Sequence, residues 1–189
     1  MRNEISIMLK EGIEVNNELI KNFSGKIEQA ANLIIDCLKN NNKIILCGNG
    51  GSASQASHIS AEFVGRFKKE RKALPAVSLT ADLSAITAIA NDYGYDKIFE
   101  RQIEALGEEG DVLIALTTSG NSQNIVNAIE KSRLMKIKTI GLLGKNGGKA
   151  KSMANIDIII PSGNTPRIQE AHLTILHIIC ELVEKRLFE

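Results

Sequence analysis

Residues Lys43–Arg66 read KIILCGNGGSASQASHISAEFVGR, and the rest of the chain can be arranged around this stretch. It begins as a short apolar run, breaks into a glycine- and serine-rich turn, and continues with helical spacing. A strand that enters such a turn and opens a helix is a ready anion site, because glycines let the backbone come close and the first helical N–H groups have no partner within the helix. The stretch therefore predicts a strand, an anion-binding turn and a helix.

The predicted helix carries His58 and Glu62 four residues apart, which places both side chains on one face. A solvated polar face is the simpler interpretation of this pair taken alone. An anion-binding turn followed within about two helical turns by a base or metal-ligand pair favours chemistry on a small phosphorylated molecule.

The glycine-rich turn matches neither of two common nucleotide-binding motifs. Ser52 and Ala53 stand where the dinucleotide fingerprint would be completed, and no Gly-Lys-Ser/Thr follows as it does in a P-loop. A tight turn with a helix cap is the simpler interpretation of such a turn alone.

Short apolar runs alternate with helix-length segments along the rest of the chain. Continuous Val, Ile and Leu runs of this kind indicate a parallel sheet covered by helices on both faces, with right-handed crossovers, and hence an α/β fold. The five predicted strands are residues 43–48, 75–79, 111–116, 138–143 and 155–161. The predicted helices among them are residues 52–67, 82–91, 96–106, 122–135, 147–152 and 165–187.

Two helices are predicted before the first strand. Residues 3–22 place apolar side chains at mostly helical spacing, and Ser24 is positioned to cap a second helix that ends near Asn40. A leading helix with so much apolar surface needs a cover, which either the protein's own sheet or another subunit could provide.

The length and composition indicate one globular domain, and the balanced charge does not favour binding to a strongly charged partner. The 189 residues fit a single domain, and 23 basic against 22 acidic side chains create no strong field for nucleic acid or a membrane. The sequence shows neither a membrane-spanning run of roughly 20 apolar residues nor the apolar core of a secretory signal. Cys37, Cys47 and Cys180 lie in apolar patterns, which favours reduced thiols. We therefore expect a cytoplasmic protein.

A second polar turn, Thr117-Thr118-Ser119-Gly120-Asn121-Ser122, follows the third predicted strand. Ligands of open α/β sheets bind beyond the carboxyl ends of the strands. Hydroxyl and backbone N–H groups at a strand-to-helix turn can bind a phosphate without any lysine. Two such turns at neighbouring strand ends could hold one ligand, although these side chains could also simply cap the next helix.

The last predicted helix carries Gln169, His172 and His177 among apolar residues. Gln169 and His177 are eight residues apart and roughly share a face, whereas His172 points elsewhere. A lone histidine in an apolar run is more often a core residue than a ligand. If this helix meets the one after the first strand, the two together supply a nitrogen and oxygen set suited to zinc or another divalent ion: His58, Glu62, Gln169 and His177.

Asn91 and Asp92 stand at the end of another predicted helix, just before Tyr93 and Gly94. Their side chains could hydrogen-bond the hydroxyls of a sugar. Alone, however, this motif indicates only a turn.

Five segments together carry a family resemblance: CGNGGSASQASHISAEFVGRF, AIANDYG, GDVLIALTTSGNS, GKNGGKA and RIQEAH. With them the sequence resembles the sugar isomerase (SIS) domain family and, within it, the bacterial sedoheptulose 7-phosphate isomerases, over nearly the whole chain. The resemblance implies a flavodoxin-like three-layer α/β/α sandwich with a five-stranded parallel sheet. Residues 1–189 would form a single SIS domain, and residues 1–40 would be a helical extension packed in a homotetramer with active sites near subunit interfaces.

The resemblance also implies an activity and a set of site residues. The implied reaction converts sedoheptulose 7-phosphate to D-glycero-D-manno-heptose 7-phosphate, the first step toward the ADP- or GDP-heptose precursors of lipopolysaccharide or capsule. One zinc ion per subunit would be held by His58, Glu62, Gln169 and His177. The implied substrate contacts are Asn49, Gly50, Gly51, Glu62, Asn91, Asp92, Thr117, Thr118, Ser119, Ser122 and Gln169, with the turn at residues 117–122 holding the phosphate.

Conversion between a ketose and an aldose moves a proton between adjacent carbons through an enediol. We predict that Glu62 takes and returns the carbon-bound proton, and that His177 handles the oxygen-bound protons. A metal ion held by the same residues would polarise the carbonyl group.

Two positions depart from the family pattern. Thr117 stands where many members have Ser, which keeps the hydroxyl and adds a methyl group. Pro166 stands where some members carry an Asp proposed to assist catalysis, and a proline fits the first turn of the last helix.

Two other functions remain open. SIS proteins that bind the replication initiator share the glycine and serine turns, but they lack the acidic and imidazole residues that stand here at Glu62 and His177. A regulator that binds a sugar phosphate without chemistry would need an effector or DNA-binding segment, and none is expected outside the domain.

Overall fold

The protein is built from seven α-helices and five strands within residues 1–189, all of which the computed structural model describes. The helices are α1 (Arg2–Glu18), α2 (Ser24–Lys39), α3 (Gly51–Val64), α4 (Leu83–Tyr93), α5 (Ile98–Leu106), α6 (Gln123–Leu134) and α7 (Thr165–Phe188). The strands are β1 (Ile44–Gly48), β2 (Ala76–Ser78), β3 (Val112–Thr117), β4 (Lys138–Gly144) and β5 (Ile156–Ile160).

All five strands run parallel in one sheet, in the spatial order β2-β1-β3-β4-β5. Every residue of β1 and β3 is buried, as expected of Ile, Leu and Val runs that have helices on both faces. One hydrophobic core joins the sheet to α2, α3 and α7, and a second joins its other face to α5 and α6. The predicted flavodoxin-like α/β fold is therefore confirmed.

The carboxyl ends of β1 and β3 lie side by side, because Gly48 pairs with Leu116 in the parallel register. The chain moves to β2 on one side of β1, and all later strands lie on the other side. Ligands of open α/β sheets bind in the crevice at such a switch point. The two polar turns that follow β1 and β3 are thus neighbours, as the sequence predicts.

The two helices predicted before the first strand are present, but the junction between them differs from the predicted cap at Ser24. α1 and α2 form one continuous helical run, joined by a wider π-helical turn at Leu19–Phe23. Ser24 has helical backbone angles, and its hydroxyl donates to the carbonyl of Ile20 at 2.8 Å instead of capping α2. Residues 19–24 contain no glycine or proline that would end the helix, and Phe23 departs from helical angles, with φ −122° and ψ −6°.

The two parts of this helical run are covered to different extents. α2 buries one face against the sheet, whereas α1 has no buried residue. Five large apolar side chains of α1 are at least half exposed: Ile5, Ile7, Met8, Leu9 and Ile13. The protein's own sheet therefore does not cover the apolar face of α1.

No helix of the structure combines the length and the apolar character that crossing a membrane requires.

The helix predicted at residues 147–152 is a single 3-10 turn, Gly148–Ala150. Gly147 and Gly148 both have positive φ angles, which a right-handed α-helix does not contain. The segment is therefore a tight loop at the end of β4.

Candidate active site

α3 and α7 meet on one face of the sheet and bring three polar side chains together. Nε2 of His58 lies 3.0 Å from Nε2 of His177 and 3.4 Å from Oε1 of Glu62. The potential ligand atoms of all three residues lie within 4.8 Å of one another. We call these residues the His–Glu–His group. The sequence made this grouping depend on the two histidine-bearing helices meeting, and they do meet.

The His–Glu–His group fits a divalent metal ion. Zinc binds imidazole nitrogen and carboxylate oxygen at about 2.0–2.2 Å, so two ligands of a tetrahedral zinc ion lie roughly 3–3.5 Å apart. The His58–His177 and His58–Glu62 distances of 3.0 and 3.4 Å match this spacing, whereas the Glu62–His177 pair is wider, within 4.8 Å. Two ring nitrogens and a carboxylate oxygen are also ligand types that zinc prefers. The group could therefore hold a metal ion through three protein ligands.

Gln169, the fourth predicted ligand, lies near the N-terminal end of α7. Eight residues separate it from His177, which corresponds to a rise of about 12 Å along the helix. Its side-chain amide lies against Gly51, where an added Cβ atom would come within 2.5 Å of Nε2. The backbone carbonyl oxygen of Gln169 accepts a hydrogen bond from Nε2 of Gln55 at 2.7 Å. In this conformation the Gln169 amide contacts the glycine-rich turn, and its role as a metal ligand stays a prediction.

The electrostatics of the group favour a neutral imidazole at His177. Burial lowers the pKa of His177, a positive charge on His58 would lower it further, and the carboxylate of Glu62 raises it. The side chains of His58 and Glu62 are 47% and 22% exposed, so a ligand can reach them. A neutral His177 has one ring nitrogen free to accept a proton or bind a metal ion.

The Thr117–Ser122 turn gathers hydroxyl groups at the N-terminus of α6. The buried Thr117 hydroxyl accepts a hydrogen bond from the N–H of Gly120 at 3.1 Å. Thr117 Oγ1 lies 3.4 Å from Ser122 Oγ and 3.5 Å from Ser119 Oγ. A helix N-terminus surrounded by hydroxyl groups favours an anion, because both present hydrogen-bond donors to it.

Residues 147–150 support this turn from the side. Gly120 has a φ angle of +67°, and a Cβ atom on it would overlap the carbonyl oxygen of Gly147. The carbonyl of Gly120 accepts a hydrogen bond from the N–H of Ala150 at 2.9 Å. The carbonyl oxygen of Thr118 lies so close to Gly144 that no Cβ atom would fit there. The shape of the turn therefore depends on two glycines and on a neighbouring loop.

Asn49, in the turn after β1, uses its side-chain oxygen and one of its two amide N–H groups within the protein. Its amide exchanges two hydrogen bonds with the amide of Asn124, at 2.9 and 3.0 Å. Its oxygen also accepts a hydrogen bond from the hydroxyl of Tyr95 at 3.0 Å. Asn124 is buried in the first turn of α6, so the pair joins the two strand-end turns.

Asn124 and Tyr95 were not among the predicted site residues. Asn124 could have been found from the pattern of α6. It is a polar residue on the side of the helix that faces the core, where its neighbours Ile125, Ala128 and Ile129 are apolar. Tyr95 follows Gly94 directly and gave no signal of its own.

Three other predicted polar residues lie apart from the His–Glu–His group. Asn91 and Asp92 are exposed at the end of α4, where the Asn91 amide donates to the Asp92 carboxylate at 2.8 Å. His172 is buried and its Nε2 lies 3.1 Å from the carbonyl oxygen of Leu143, to which it donates. Burial lowers the pKa of His172 to about 4, so the ring is neutral. The prediction that His172 points away from the other histidines is confirmed.

The fold and the site together define the class of the protein. Residues 9–144 match the family model of the SIS domain. The chain belongs to the SIS domain family.

Comparison with individual members of that family identifies a narrower group of relatives. The chain is 50% identical over 188 residues to the phosphoheptose isomerase of Geobacter sulfurreducens, and the alignment covers 100% of both chains. Solved structures of phosphoheptose isomerases from Neisseria gonorrhoeae and Francisella tularensis superpose with TM-scores of 0.91 and 0.93, at 39% and 38% identity. These superpositions cover 97% of this chain in both cases, and 98% and 97% of the respective relatives. The resemblance to phosphoheptose isomerases is thus confirmed, and the protein is an enzyme of the aldose–ketose isomerase class.

Proposed function

We propose that the protein converts D-sedoheptulose 7-phosphate to D-glycero-D-manno-heptose 7-phosphate through an enediol. The observation that carries this proposal is the His–Glu–His group, because it joins a carboxylate and two imidazoles from helices distant in the sequence. The hydroxyl-rich turn at the end of β3 suits the phosphate of such a substrate. The name that the relatives share supports a phosphorylated heptose.

In this proposal Glu62 is the base that acts on carbon. Its carboxylate removes a proton from C1 of the ketose and returns it to C2 of the enediol, so that the carbonyl group moves from C2 to C1. His177 accepts the proton of the C1 hydroxyl and supplies a proton to the oxygen on C2. The lowered pKa of His177 supports this role, because a neutral ring can accept the first proton.

We further propose that His58, Glu62 and His177 hold a zinc ion, with Gln169 as the fourth ligand. Because its neutral ring offers a single lone pair, His177 would serve as metal ligand and as proton acceptor by turns. The fit of the His–Glu–His spacing to zinc–ligand distances supports the first three. The Gln169 amide would have to leave Gly51 to join them. A bound zinc ion would polarise the substrate carbonyl and stabilise the developing negative charge.

The phosphate is proposed to bind at Thr117–Ser122 and the sugar at the turn after β1. Asn49 would contact the substrate through its backbone, since Asn124 and Tyr95 engage its side chain. Gly50, at the start of α3, has a φ angle of +57°, and its lack of a side chain would let the backbone approach the sugar closely. The full set of proposed substrate contacts is Asn49, Gly50, Gly51, Glu62, Asn91, Asp92, Thr117, Thr118, Ser119, Ser122 and Gln169.

A homotetramer and a cytoplasmic location complete the proposal. The exposed apolar face of α1 supports association with further copies of the chain, because isolated proteins rarely leave such a surface in water. Three free and buried cysteines support a reducing compartment. Light scattering at several concentrations would test the assembly, and a monomer at all of them would refute it. The product would serve as a precursor for nucleotide-activated heptose.

The direct test supplies sedoheptulose 7-phosphate and follows the aldose product, with and without added zinc. We expect turnover by the native chain and its near-complete loss in Glu62→Gln and His177→Gln. No turnover with zinc present would refute the proposed reaction. Tight binding to the replication initiator without turnover would instead identify a binding protein, and sugar-phosphate binding without turnover a regulator.

A further inference from the structure

The loop between α3 and β2, residues 65–75, is tied to α7 by one buried carboxylate. Glu184 is 2% exposed and accepts hydrogen bonds from the backbone N–H groups of Phe67, Lys68 and Lys69, at 3.3, 2.9 and 2.9 Å. Burial alone would raise the pKa of Glu184, but these N–H groups and Arg71 together hold it below its ordinary value. The carboxylate is therefore charged, and consecutive backbone groups of the loop surround it.

Arg71 connects the same carboxylate to the end of α3. Its Nε lies 3.0 Å from Oε1 of Glu184, and the two side chains are only 2% and 3% exposed. The rest of the guanidinium donates to the backbone carbonyls of Glu62 at 2.8 Å and Phe63 at 2.9 Å. These are carbonyls of the last turn of α3, which no helical N–H satisfies. The Arg71–Glu184 pair thus fixes the loop to both helices of the active site.

The fixed loop places the ring of Phe67 against His177. The two rings are stacked, with centroids 5.6 Å apart and an interplanar angle of 23°. The ring of His58 meets His177 edge-on, with centroids 5.2 Å apart. His177 is therefore in contact with Phe67 through a ring face while its Nε2 approaches His58. A ring held in this way keeps its nitrogen aimed into the His–Glu–His group.

We propose that Phe67 is a positioning residue that fixes the orientation of the His177 ring, and that the buried Arg71–Glu184 pair holds Phe67 in place. Phe67 itself touches neither substrate nor metal in this scheme. The inference rests on the proposed function for its catalytic consequence, because His177 is the residue that it orients. The orientation itself is a property of the folded chain and can be measured without any reaction.

A buried and fully bonded ion pair is well suited to this task. A carboxylate with four donors, inside the protein, has one favourable arrangement, since any displacement leaves a buried charge without partners. A loop held only by exposed side chains would move, and the stacked ring would move with it. Small errors in the position of a catalytic group are costly, and about 1 Å can reduce the rate about 100-fold.

The experiment compares Phe67→Leu, which removes the ring, with Phe67→Tyr, which keeps it. The first readout is the rate at which diethyl pyrocarbonate modifies each histidine of the full-length, chelator-treated protein, followed by peptide mass spectrometry. We expect His177 to be modified severalfold faster in Phe67→Leu and at the native rate in Phe67→Tyr. Buried His172 should stay unmodified in every variant, which shows that the variants are folded.

A matched control is Phe23→Leu, another partly buried phenylalanine that packs on the same core. Its effect on the His177 rate should be nil. For the anchor, Arg71→Lys keeps the positive charge but cannot make all the bonds of the guanidinium, and it should raise the His177 rate as well. If Arg71→Lys leaves this rate at the native value, the anchoring part of the proposal is wrong.

The second readout is kinetic. With sedoheptulose 7-phosphate, Phe67→Leu should lower kcat about tenfold or more while KM stays near native, and Phe67→Tyr should keep most of kcat. Equal His177 modification rates in the native chain and Phe67→Leu would overturn the proposal, as would identical behaviour of Phe67→Leu and Phe67→Tyr. If the native chain shows no turnover, the proposed reaction fails while the modification rates still decide the orientation of His177.

Discussion

The His–Glu–His group and the Thr117–Ser122 turn are the two halves of the candidate site, and they are built in opposite ways. The first consists of side chains on two helices, and His58 and His177 are 119 positions apart in the sequence. The second is one short segment whose shape comes from its own backbone and from the loop at residues 147–150. One half depends on the packing of α3 against α7, and the other on local backbone geometry.

This difference indicates how each half should respond to substitution. A side chain in the His–Glu–His group can be replaced without disturbing the backbone that carries it, so chemistry should fail before folding does. In the turn, the backbone itself is the binding surface, so a change of backbone conformation should affect folding and binding together.

The largest effect is expected for Glu62→Gln. The amide keeps the shape of the side chain but cannot accept the carbon-bound proton, so kcat should fall about 1000-fold. The thermal unfolding midpoint should stay close to native, because no backbone contact changes. Steady-state kinetics and calorimetry measure both, with Glu70→Gln, an exposed glutamate just beyond α3, as the control. A variant that loses stability in step with activity would remove the contrast between the halves.

Gly120→Ala should be the most destabilising change in the turn. The φ angle of +67° is unfavourable for alanine, and the new Cβ atom would overlap the carbonyl oxygen of Gly147. We expect the free energy of unfolding to drop by about 3 kcal/mol, together with a higher KM. Urea denaturation checks this, and Gly163→Ala is the control because a Cβ atom there meets nothing within 4 Å. Native stability in Gly120→Ala would show that the turn can relax.

His172 joins the two halves and should make the fold acid-sensitive. It lies in α7 and donates to the carbonyl of Leu143, which pairs with Thr117 across β3 and β4. The pKa of His172 is about 4 in the folded protein against 6.5 ordinarily, so between these values the unfolded chain binds more protons. Stability should therefore fall by about 2 kcal/mol from pH 7 to pH 5 through this group.

Denaturant titrations at pH 7 and pH 5 test this, with His172→Gln for comparison. Glutamine can still donate to the Leu143 carbonyl but does not titrate in this range. Between pH 7 and pH 5, the variant should lose about 2 kcal/mol less of its free energy of unfolding than the native chain does. If both proteins lose the same amount, groups other than His172 cause the acid sensitivity.

The smallest effect is expected for Ser119→Ala. Removal of one hydroxyl from the phosphate turn should raise KM for the sugar phosphate about tenfold and leave kcat near native. Ser24→Ala, far away on α2, should change neither parameter. A fall in kcat at unchanged KM would contradict this prediction, because Ser119 would then contribute to the chemical step and not to phosphate binding.

Much of the fold was predictable, because its decisive signals are local. The apolar runs that became β1 and β3 are continuous, and each is followed by a glycine or hydroxyl turn. The join between α1 and α2 was predicted wrongly, because Ser24 resembles a helix cap and its hydroxyl can equally bond a carbonyl one turn back. The 147–152 helix was wrong because two glycines with positive φ angles interrupt it.

The candidate site was predictable where residues share a helix face, and less so where contacts cross the chain. The spacing of His58 and Glu62 indicates a shared helix face, whereas His177 lies in an apolar run, where a lone histidine is more often a core residue. Nothing in the sequence links Glu184 to the loop at residues 67–69, over a separation of more than 100 positions. Nor does it show that Asn124 takes up the side chain of Asn49, since reciprocal amide pairing depends on how two turns meet.

The π-helical turn at Leu19–Phe23 has a consequence for the direction in which α1 faces. Such a turn adds one residue to the helical path, and one residue corresponds to about 100° around the axis. The apolar stripe of α1 is thus out of phase with that of α2, although the backbone is unbroken. Deleting one residue within the turn should restore the phase and rotate the exposed isoleucines toward the side on which α2 packs. A single extra residue therefore decides which surface this helix offers to other molecules.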